Sequence, residues 1–197
     1  MNIIFVTRLF SGIENSLLTK KWSPTGVPTI YKMVEALDCT HNTQFIFTAK
    51  DSGEGYSSSW DLGSNVKFKL DKINQEITVV SGINRFPSFF GRKIRIILRE
   101  ITQFIYVISR VIIIKPDVLY CDSSNIIIGS IVSRFFNNIS VVYRVMGVNQ
   151  YMQRVVNNNG IIPMIYKWLY RSPFKLVICT QDGSGVENWT YRAFKKN

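Results

Sequence analysis

Residues 92–122 read RKIRIILREITQFIYVISRVIIIKPDVLYCD, and this stretch decides the fold class. Its apolar residues recur at helical spacing, which predicts one helix over 92–114. Pro116 ends this helix, because proline lacks the N–H that a helix needs and its ring clashes with the preceding turn. Residues 117–121 then form a short apolar run that stops at Asp122, as is typical of a strand buried on both faces. A helix followed directly by such a strand indicates an α/β fold.

The rest of the chain repeats this alternation of short strands and helices. The predicted strands cover 2–7, 44–48, 66–70, 76–80, 140–145 and 176–180, and the predicted helices cover 27–37, 126–136 and 163–170. The polar stretches 8–25 and 51–59 are interpreted as loops. Alternating strands and helices are typical of an open, Rossmann-like parallel sheet with helices on both faces. Ligands of such a fold bind outside the carboxyl ends of the strands.

The positive charge of the chain is concentrated in parts of the sequence. The 197 residues carry 24 Lys and Arg against 13 Asp and Glu, a net charge of +11. Residues 85–115 hold seven basic residues and one acidic residue, whereas 1–84 hold eight of each. Such a patch indicates an anionic partner, for example a membrane leaflet or a phosphorylated substrate, and the alternative is a solvated surface. No RNA- or DNA-binding motif accompanies the charge, so we expect no nucleic acid partner.

The cysteine and histidine content argues against a metal centre. The three cysteines, Cys39, Cys121 and Cys179, lie far apart in the sequence, and His41 is the single histidine. No pair of these residues has the spacing of zinc or iron–sulfur ligands, so we expect no metal site. Isolated cysteines in or beside apolar runs fit buried thiols in a reducing compartment.

The sequence predicts a cytoplasmic protein. Its first residues lack the basic segment that precedes the apolar run of a secretory signal. The helix over 92–114 is interrupted by Arg95, Arg99, Glu100 and Arg110, each of which would cost about 2.5–3.5 kcal/mol at a membrane centre, so it is not expected to span a bilayer. Peripheral contact with the inner membrane face is expected if the basic patch has a lipid partner.

The helix over 92–114 is predicted to be amphipathic. Its apolar face consists of Ile94, Ile97, Leu98, Ile101, Phe104, Ile105, Ile108 and Ile112, and its polar face of Arg92, Arg95, Arg99, Thr102, Gln103, Ser109 and Arg110. The segment before it contains Arg85, Phe86, Phe89 and Phe90. Basic helices with neighbouring aromatic residues are typical of anionic membrane surfaces, and we assign Arg92, Arg95 and Arg99 to such a contact. The alternative is a core helix with a solvated polar face, preceded by a loop whose phenylalanines are buried.

The first candidate for ligand binding is Thr25-Gly26-Val27, which follows the first strand and precedes a helix. A glycine there lets the backbone approach a phosphate, while helix N-terminal amides supply partial positive charge. The alternative is an ordinary turn glycine at a helix start. Neither a dinucleotide fingerprint nor a P-loop is present in the sequence.

The second candidate is Asp122, the carboxylate at the end of the strand over 117–121. A carboxylate at this position suits a general base that accepts a proton from an acceptor hydroxyl. The competing interpretation is that Asp122, followed by Ser123, caps the next helix. The segment after the last strand, Thr180 and Gln181 onward, is small and polar, which fits either a ligand-binding loop or a turn. It lacks the G-x-S-x-G spacing of an esterase, so that activity is excluded.

Taken in order, these motifs resemble the N-terminal domain of the GT-B glycosyltransferases of family 4, over nearly the whole chain. Residues 2–7, with 25–28 leading into 34–37, look like the first strand, glycine loop and first helix of that family. Residues 115–120 (KPDVLY) are similar to its "kPDvvh" strand. Residues 141–147 (VVYRVMG) look like the strand that ends in a His-Gly pair, and 176–180 like the strand that ends in Ser or Thr.

The resemblance implies a function, with some departures from the family pattern. It implies an acceptor-binding, GT-B half over 1–197 that uses a nucleotide-sugar donor and a glycan or lipid-linked acceptor, with no metal and no cofactor. Asp122 stands where many members have histidine and would face the acceptor hydroxyl. Met146 replaces the histidine before Gly147 and has no acid, base or cation to offer. The implied donor- and acceptor-binding residues are Thr25, Gly26, Val27, Ser123, Met146, Gly147, Thr180 and Gln181.

No part of the sequence resembles the donor-binding half of these enzymes. We therefore expect a chain that is inactive alone and completed by a separate C-terminal donor-binding domain, in the synthesis of cell-surface polysaccharide or lipid-linked glycan. The alternative is a non-catalytic basic α/β module that binds an anionic membrane surface or a protein partner.

Overall fold

A computed structural model of the protein describes residues 1–49, 65–81, 92–180 and 185–194. Within these residues the protein is α/β, with seven strands and seven α-helices. The chain divides into two compact units, Met1–Asp117 and Val118–Asn197. Within the units all strand pairs but one are parallel. This confirms the predicted α/β class with mainly parallel strands.

The first unit has four strands, β1 (Asn2–Arg8), β2 (Asn42–Thr48), β3 (Val66–Phe68) and β4 (Ile77–Val80). They lie in the order β3-β4-β2-β1, and only the β3–β4 pair is antiparallel. The apolar run of β1 is buried on both faces, and Phe5 packs edge-to-face on its register partner Phe45, with ring centroids 5.8 Å apart. The four strands confirm the predictions over 2–7, 44–48, 66–70 and 76–80.

The helices of the first unit are α1 (Ser11–Thr19), α2 (Pro28–Thr40) and α3 (Arg92–Ile114). Helices α2 and α3 confirm the predictions over 27–37 and 92–114. The predicted loop over 8–25 is wrong where α1 lies, because Ile13, Ser16 and Leu17 recur at helical spacing and are fully buried. The loop predicted over 51–59 lies outside the described residues.

The orientation of α3 contradicts its predicted polar face. Gln103 is fully buried, and its side-chain Nε2 donates to the backbone oxygens of Ala49 (2.7 Å) and Val80 (3.0 Å). Val107 and Val111 are buried on the same side of the helix. The amide turns inward because it satisfies carbonyl groups at the ends of β2 and β4, which an apolar side chain cannot do. The predicted polar face is therefore not solvated at Gln103, and the phenylalanines at 86, 89 and 90 that the alternative of a core helix includes lie outside the described residues.

The second unit contains three parallel strands, β5 (Val118–Asp122), β6 (Ser140–Val145) and β7 (Leu176–Cys179), in the order β5-β6-β7. All three confirm predicted strands. The helices are α4 (Ile126–Phe135), α5 (Gln150–Asn157), α6 (Ile161–Tyr170) and α7 (Val186–Phe194). Helices α4 and α6 confirm predictions, whereas α5 and α7 lie where no element is predicted. Their apolar residues do recur at helical spacing, but the two helices are only eight and nine residues long, so each offers a pattern of about two turns.

An aromatic cluster forms the core of the second unit. Tyr143 of β6 is fully buried and stacks on Phe174, with ring centroids 4.8 Å apart. Tyr170 of α6 meets Trp189 of α7 edge-to-face at 5.0 Å. Tyr143 also meets Phe194 of α7, with ring centroids 6.3 Å apart, so aromatic contacts connect α6 with α7 and α7 with β6.

Candidate functional site

The first candidate site is the loop between α1 and α2 in the first unit. The N–H of Thr25 donates to the carbonyl oxygen of Gly12 over 2.8 Å. Gly26 has φ +87°, a backbone conformation that favours glycine. Thr25 and Gly26 are exposed and Val27 is half-buried, so this loop is open to a ligand. Gly12 was missed by sequence reasoning, although a glycine close to the end of the first strand was a signal that could have found it.

The start of α2 has limited capacity to hold an anion through its amides. Pro28, at the first turn, has no N–H, and the N–H of Ile30 donates to the carbonyl oxygen of Val27 at 3.0 Å. Helix N-termini bind phosphate through N–H groups that have no partner inside the helix. The arrangement therefore favours close approach of a ligand to the Gly26 backbone over cradling by the helix terminus.

The second candidate site lies at the carboxyl ends of the parallel strands in the second unit. Asp122, at the end of β5, is fully buried, and the Asn125 amide donates to its Oδ1 at 2.7 Å. Arg144 of β6 is the register partner of Asp122 and is 6% exposed. Its Nη2 donates to Thr180 Oγ1 at 3.3 Å. Arg144, at the strand position beside Asp122, is thus hydrogen-bonded to a threonine that follows β7.

Asp122 does not act as the expected helix cap. A 3₁₀ turn over Ser123–Asn125 precedes α4, and neither the Asp122 nor the Asn125 side chain makes the capping hydrogen bond to the backbone there. The Asp122 carboxylate is bonded to a side-chain amide instead. The Asp122 carboxylate is fully buried, whereas Ser123 and Thr180, which also follow strand ends, are half-buried.

The remaining ionisable groups beside Asp122 are held neutral. Burial raises the pKa of Tyr120 to about 12, although the hydrogen bond and charge of Arg144 oppose this shift. Burial, with a smaller contribution from the Asp122 charge, raises the pKa of Cys121 far above its ordinary value. Cys121 is therefore not an activated thiolate nucleophile at neutral pH.

Arg144 is the functional candidate that sequence reasoning did not single out. The signal was an arginine inside the apolar strand SVVYRV, where a charged residue needs a polar partner. Met146 and Gly147 follow the same strand; both are half-buried, and Gly147 has φ +107°. Gln181 lies outside the described residues. The structure therefore links Asp122, Asn125, Arg144 and Thr180, whereas Thr25, Gly26 and Val27 belong to the first unit.

The predicted membrane-surface residues lie on α3. Five isoleucines of this helix, Ile94, Ile97, Ile101, Ile105 and Ile112, are 45–61% exposed. We call them the α3 isoleucine face. Arg99 is half-buried on another side of the helix, and the side chains of Arg92 and Arg95 are not among those described. Arg110 also turns toward the protein, since its Nε donates to Gln44 Oε1 at 3.0 Å.

None of the helices in the described part of the chain has both the length and the apolar character that crossing a bilayer requires. Within residues 1–49, 65–81, 92–180 and 185–194, no three His, Cys, Asp or Glu side chains come together as a set of metal ligands.

No family model, no curated protein and no solved structure matches this chain.

Proposed function

We propose that the chain is the acceptor-binding half of a nucleotide-sugar-dependent glycosyltransferase of the GT-B, family 4 type. The observation that carries the proposal is the polar cluster at the carboxyl ends of β5, β6 and β7. Ligands of parallel α/β folds bind at this edge. The acceptor is a glycan or a lipid-linked sugar of the cell surface, handled at the inner membrane face.

In this proposal Asp122 is a positioning residue. Its buried carboxylate holds Asn125, and it shares a register position with Arg144, which in turn holds Thr180. Ser123 and Thr180 then contact the acceptor hydroxyl. The Gly26 backbone is exposed, and in this proposal it is approached by the donor diphosphate.

The donor itself is bound by a separate domain in this proposal, so the chain alone transfers no sugar. The test incubates the purified protein with UDP-glucose or GDP-mannose and a polyprenyl-phosphate-linked sugar. We expect no transfer, together with acceptor-dependent shifts of the Ser123 and Thr180 amide resonances. Sugar transfer by the chain alone would overturn the half-enzyme assignment. Absence of any shift at these amides over a panel of acceptors would overturn acceptor binding.

Asp122→Asn is the variant that tests the cluster. It keeps the shape of the side chain but alters the acceptor of the Asn125 hydrogen bond, so Ser123 is placed less well and acceptor binding is expected to weaken by about tenfold. Asp38→Asn is the matched control, since Asp38 is also a buried carboxylate but accepts hydrogen bonds from Asn74 and Gln75 in the first unit. If the two variants weaken acceptor binding equally, Asp122 does not position the acceptor-binding residues.

A second candidate function is a non-catalytic module that binds an anionic membrane surface through α3. The exposed α3 isoleucine face favours it, because contiguous exposed apolar residues mark interaction surfaces. The test is sedimentation with vesicles of phosphatidylcholine and phosphatidylglycerol in equal parts. Binding is expected to fall with salt, with Arg92, Arg95 and Arg99 changed to Glu, and with Ile101→Glu. Unchanged binding by these variants would exclude α3 as the contact.

A further inference from the structure

Helix α6 of the second unit exposes a stripe of large apolar side chains that none of the functions above uses. The stripe consists of Ile161, Ile162, Met164, Ile165 and Trp168, which are 45–75% exposed. We call these five residues the α6 surface. Four of them, all but Ile162, recur at i, i+3, i+4 and i+7 and so share one face of the helix.

The opposite side of α6 is firmly packed. Leu169 and Tyr170 are buried, and Tyr170 is in edge contact with Trp189 and tilted ring contact with Tyr166. Tyr166 in turn meets Tyr151 of α5 edge-to-face at 5.7 Å. Since these contacts fix the rotation of the helix, the apolar stripe points outward in the folded unit.

Basic side chains border the α6 surface, and two of them are held in place. The Arg134 guanidinium lies 4.2 Å from the centre of the Trp168 ring, and its Nη2 donates to the Trp168 carbonyl oxygen at 2.7 Å. Lys167 Nζ donates to the carbonyl oxygen of Asn158 at 2.9 Å. A concavity of about 690 Å³ adjoins the stripe, and Lys167, Trp168 and Arg171 are among its lining residues.

The segment that carries these residues has charge of a single sign. Residues 123–180 contain six Lys or Arg and no Asp or Glu. The segment therefore has a net charge of +6 (six basic residues and no acidic one), and Arg134 and Lys167, which border the α6 surface, belong to it. An apolar stripe edged by tryptophan and cations is complementary to the boundary between anionic headgroups and acyl chains.

We propose that the α6 surface docks on an anionic lipid leaflet. Its isoleucine and methionine side chains enter the boundary between headgroups and acyl chains, and Trp168 lies at the polar edge. Arg134, Lys167 and Arg171 contact lipid phosphates, with one headgroup seated in the concavity. This surface belongs to the second unit, so the proposal depends neither on the α3 isoleucine face nor on glycosyltransferase activity.

The experiment measures sedimentation of the 197-residue protein with two kinds of vesicle, one of phosphatidylcholine alone and one with phosphatidylglycerol in equal parts. Binding is expected to the mixed vesicles and to be about tenfold weaker to the neutral ones. Ile165→Glu is expected to weaken binding to the mixed vesicles by about tenfold, because a charge replaces an inserted side chain. Leu18→Glu is the matched control, since Leu18 is an exposed apolar residue on helix α1.

Tryptophan fluorescence supplies the second readout. The chain has four tryptophans, and Trp22 and Trp189 are buried in the protein. A blue shift on mixed vesicles that disappears in Trp168→Phe would locate the insertion at α6. Circular dichroism confirms that each variant is folded.

Three results would overturn the proposal. The first is unchanged vesicle binding by Ile165→Glu. The second is that Ile101→Glu of α3 loses vesicle binding while Ile165→Glu keeps it, which would place the lipid contact in the first unit. The third is that the unsubstituted protein does not bind vesicles, self-associates in lipid-free solution and becomes a monomer in Ile165→Glu. The α6 surface would then be a contact between copies of the protein.

Discussion

Gly12 and Thr25 lie in direct backbone contact, and this contact holds the glycine loop next to α1. The Thr25 N–H donates to the Gly12 carbonyl oxygen at 2.8 Å, while a Cβ on Gly12 would overlap the Thr25 carbonyl oxygen. The clash involves backbone atoms, so it cannot be relieved by rotating a side chain. The loop that carries Gly26 therefore depends on a residue that the family resemblance does not include.

Gly12→Ala is expected to lower the free energy of unfolding by about 1–3 kcal/mol, the usual cost of overpacking. Helix propensity favours alanine at this position of α1, so the clash must exceed that gain. Urea unfolding measures the change. Gly26→Ala is the comparison, because a Cβ there meets only ordinary contacts and the cost is that of φ +87°.

If Gly12→Ala has the same free energy of unfolding as the unsubstituted protein, the loop moves away from α1 without loss of stability. The glycine loop would then be held by other contacts.

Gln103→Met tests the buried amide of α3. The substitution keeps the length of the side chain but removes the Nε2 donor, so the hydrogen bonds to Ala49 and Val80 are lost. The expected loss of stability is about 1–3 kcal/mol, the cost of leaving buried acceptors short of a partner. Thermal or urea unfolding gives the value.

Thr102→Met, one residue earlier on α3, is a suitable control. Thr102 is half-buried, and its hydroxyl donates to Leu98 of its own helix instead of bridging to a strand. If the two variants lose equal stability, the link from Gln103 to the strand ends does not stabilise the unit.

Alkaline pH is expected to destabilise the protein through Tyr120. Its pKa is raised from 10.0 to about 12 in the folded state, chiefly by burial, so between these values the unfolded chain loses a proton that the folded protein keeps. Stability contributed by the neutral tyrosine is complete below about pH 10 and falls as the pH rises toward 12, by at most about 1.4 kcal/mol per pH unit. Burial also raises the pKa of Tyr143 and Tyr170, which adds to the same trend.

The measurement is the urea midpoint from neutral pH to pH 11 for the unsubstituted protein and for Tyr120→Phe. The variant is expected to lose stability less steeply above pH 10, because one titrating group is gone. Parallel curves for the two proteins above pH 10 would show that Tyr120 titrates at its ordinary pKa.

Most of the strands could be predicted from sequence because they are runs of apolar and β-branched residues, whereas β3 (VKF) was predicted from the alternation of apolar and polar residues. Strand β6 was predicted at Ser140–Val145, the bounds that the structure has, and α3 was likewise predicted at Arg92–Ile114. Helices α1, α5 and α7 were missed because each is short and buries only a few residues among polar ones. In α5 the buried residues are Met152, Val155 and Val156.

The orientation of side chains was harder to predict than the elements themselves. The rule that the most apolar face of a helix turns inward predicts the wrong orientation for α3. Gln103 of the predicted polar face is buried together with Val107 and Val111. Its side-chain amide donates hydrogen bonds to the carbonyl oxygens of Ala49 and Val80. The position of Asp122 at a strand end was predictable, since strand ends follow from apolar runs. Its link to Arg144 and Thr180 required the register of β6 and β7, which a single sequence does not specify.

Gly129 of α4 and Cys121 of β5 are expected to be energetically coupled. A Cβ on Gly129 would overlap the Cys121 sulfur, which is fully buried. Gly129→Ala is therefore expected to cost about 1–3 kcal/mol. Cys121→Ala removes the sulfur and leaves a small cavity, with an expected cost of about 1 kcal/mol.

The double variant should be more stable than the sum of the two single changes predicts, by about 1 kcal/mol or more, since the new methyl group occupies the space of the sulfur. Four urea unfolding curves complete this cycle. Additive losses would mean that Gly129→Ala is accommodated by movement of α4 as a whole. In that case the carboxyl end of β5, and Asp122 with it, would be less rigidly placed than the packing of Gly129 against Cys121 indicates.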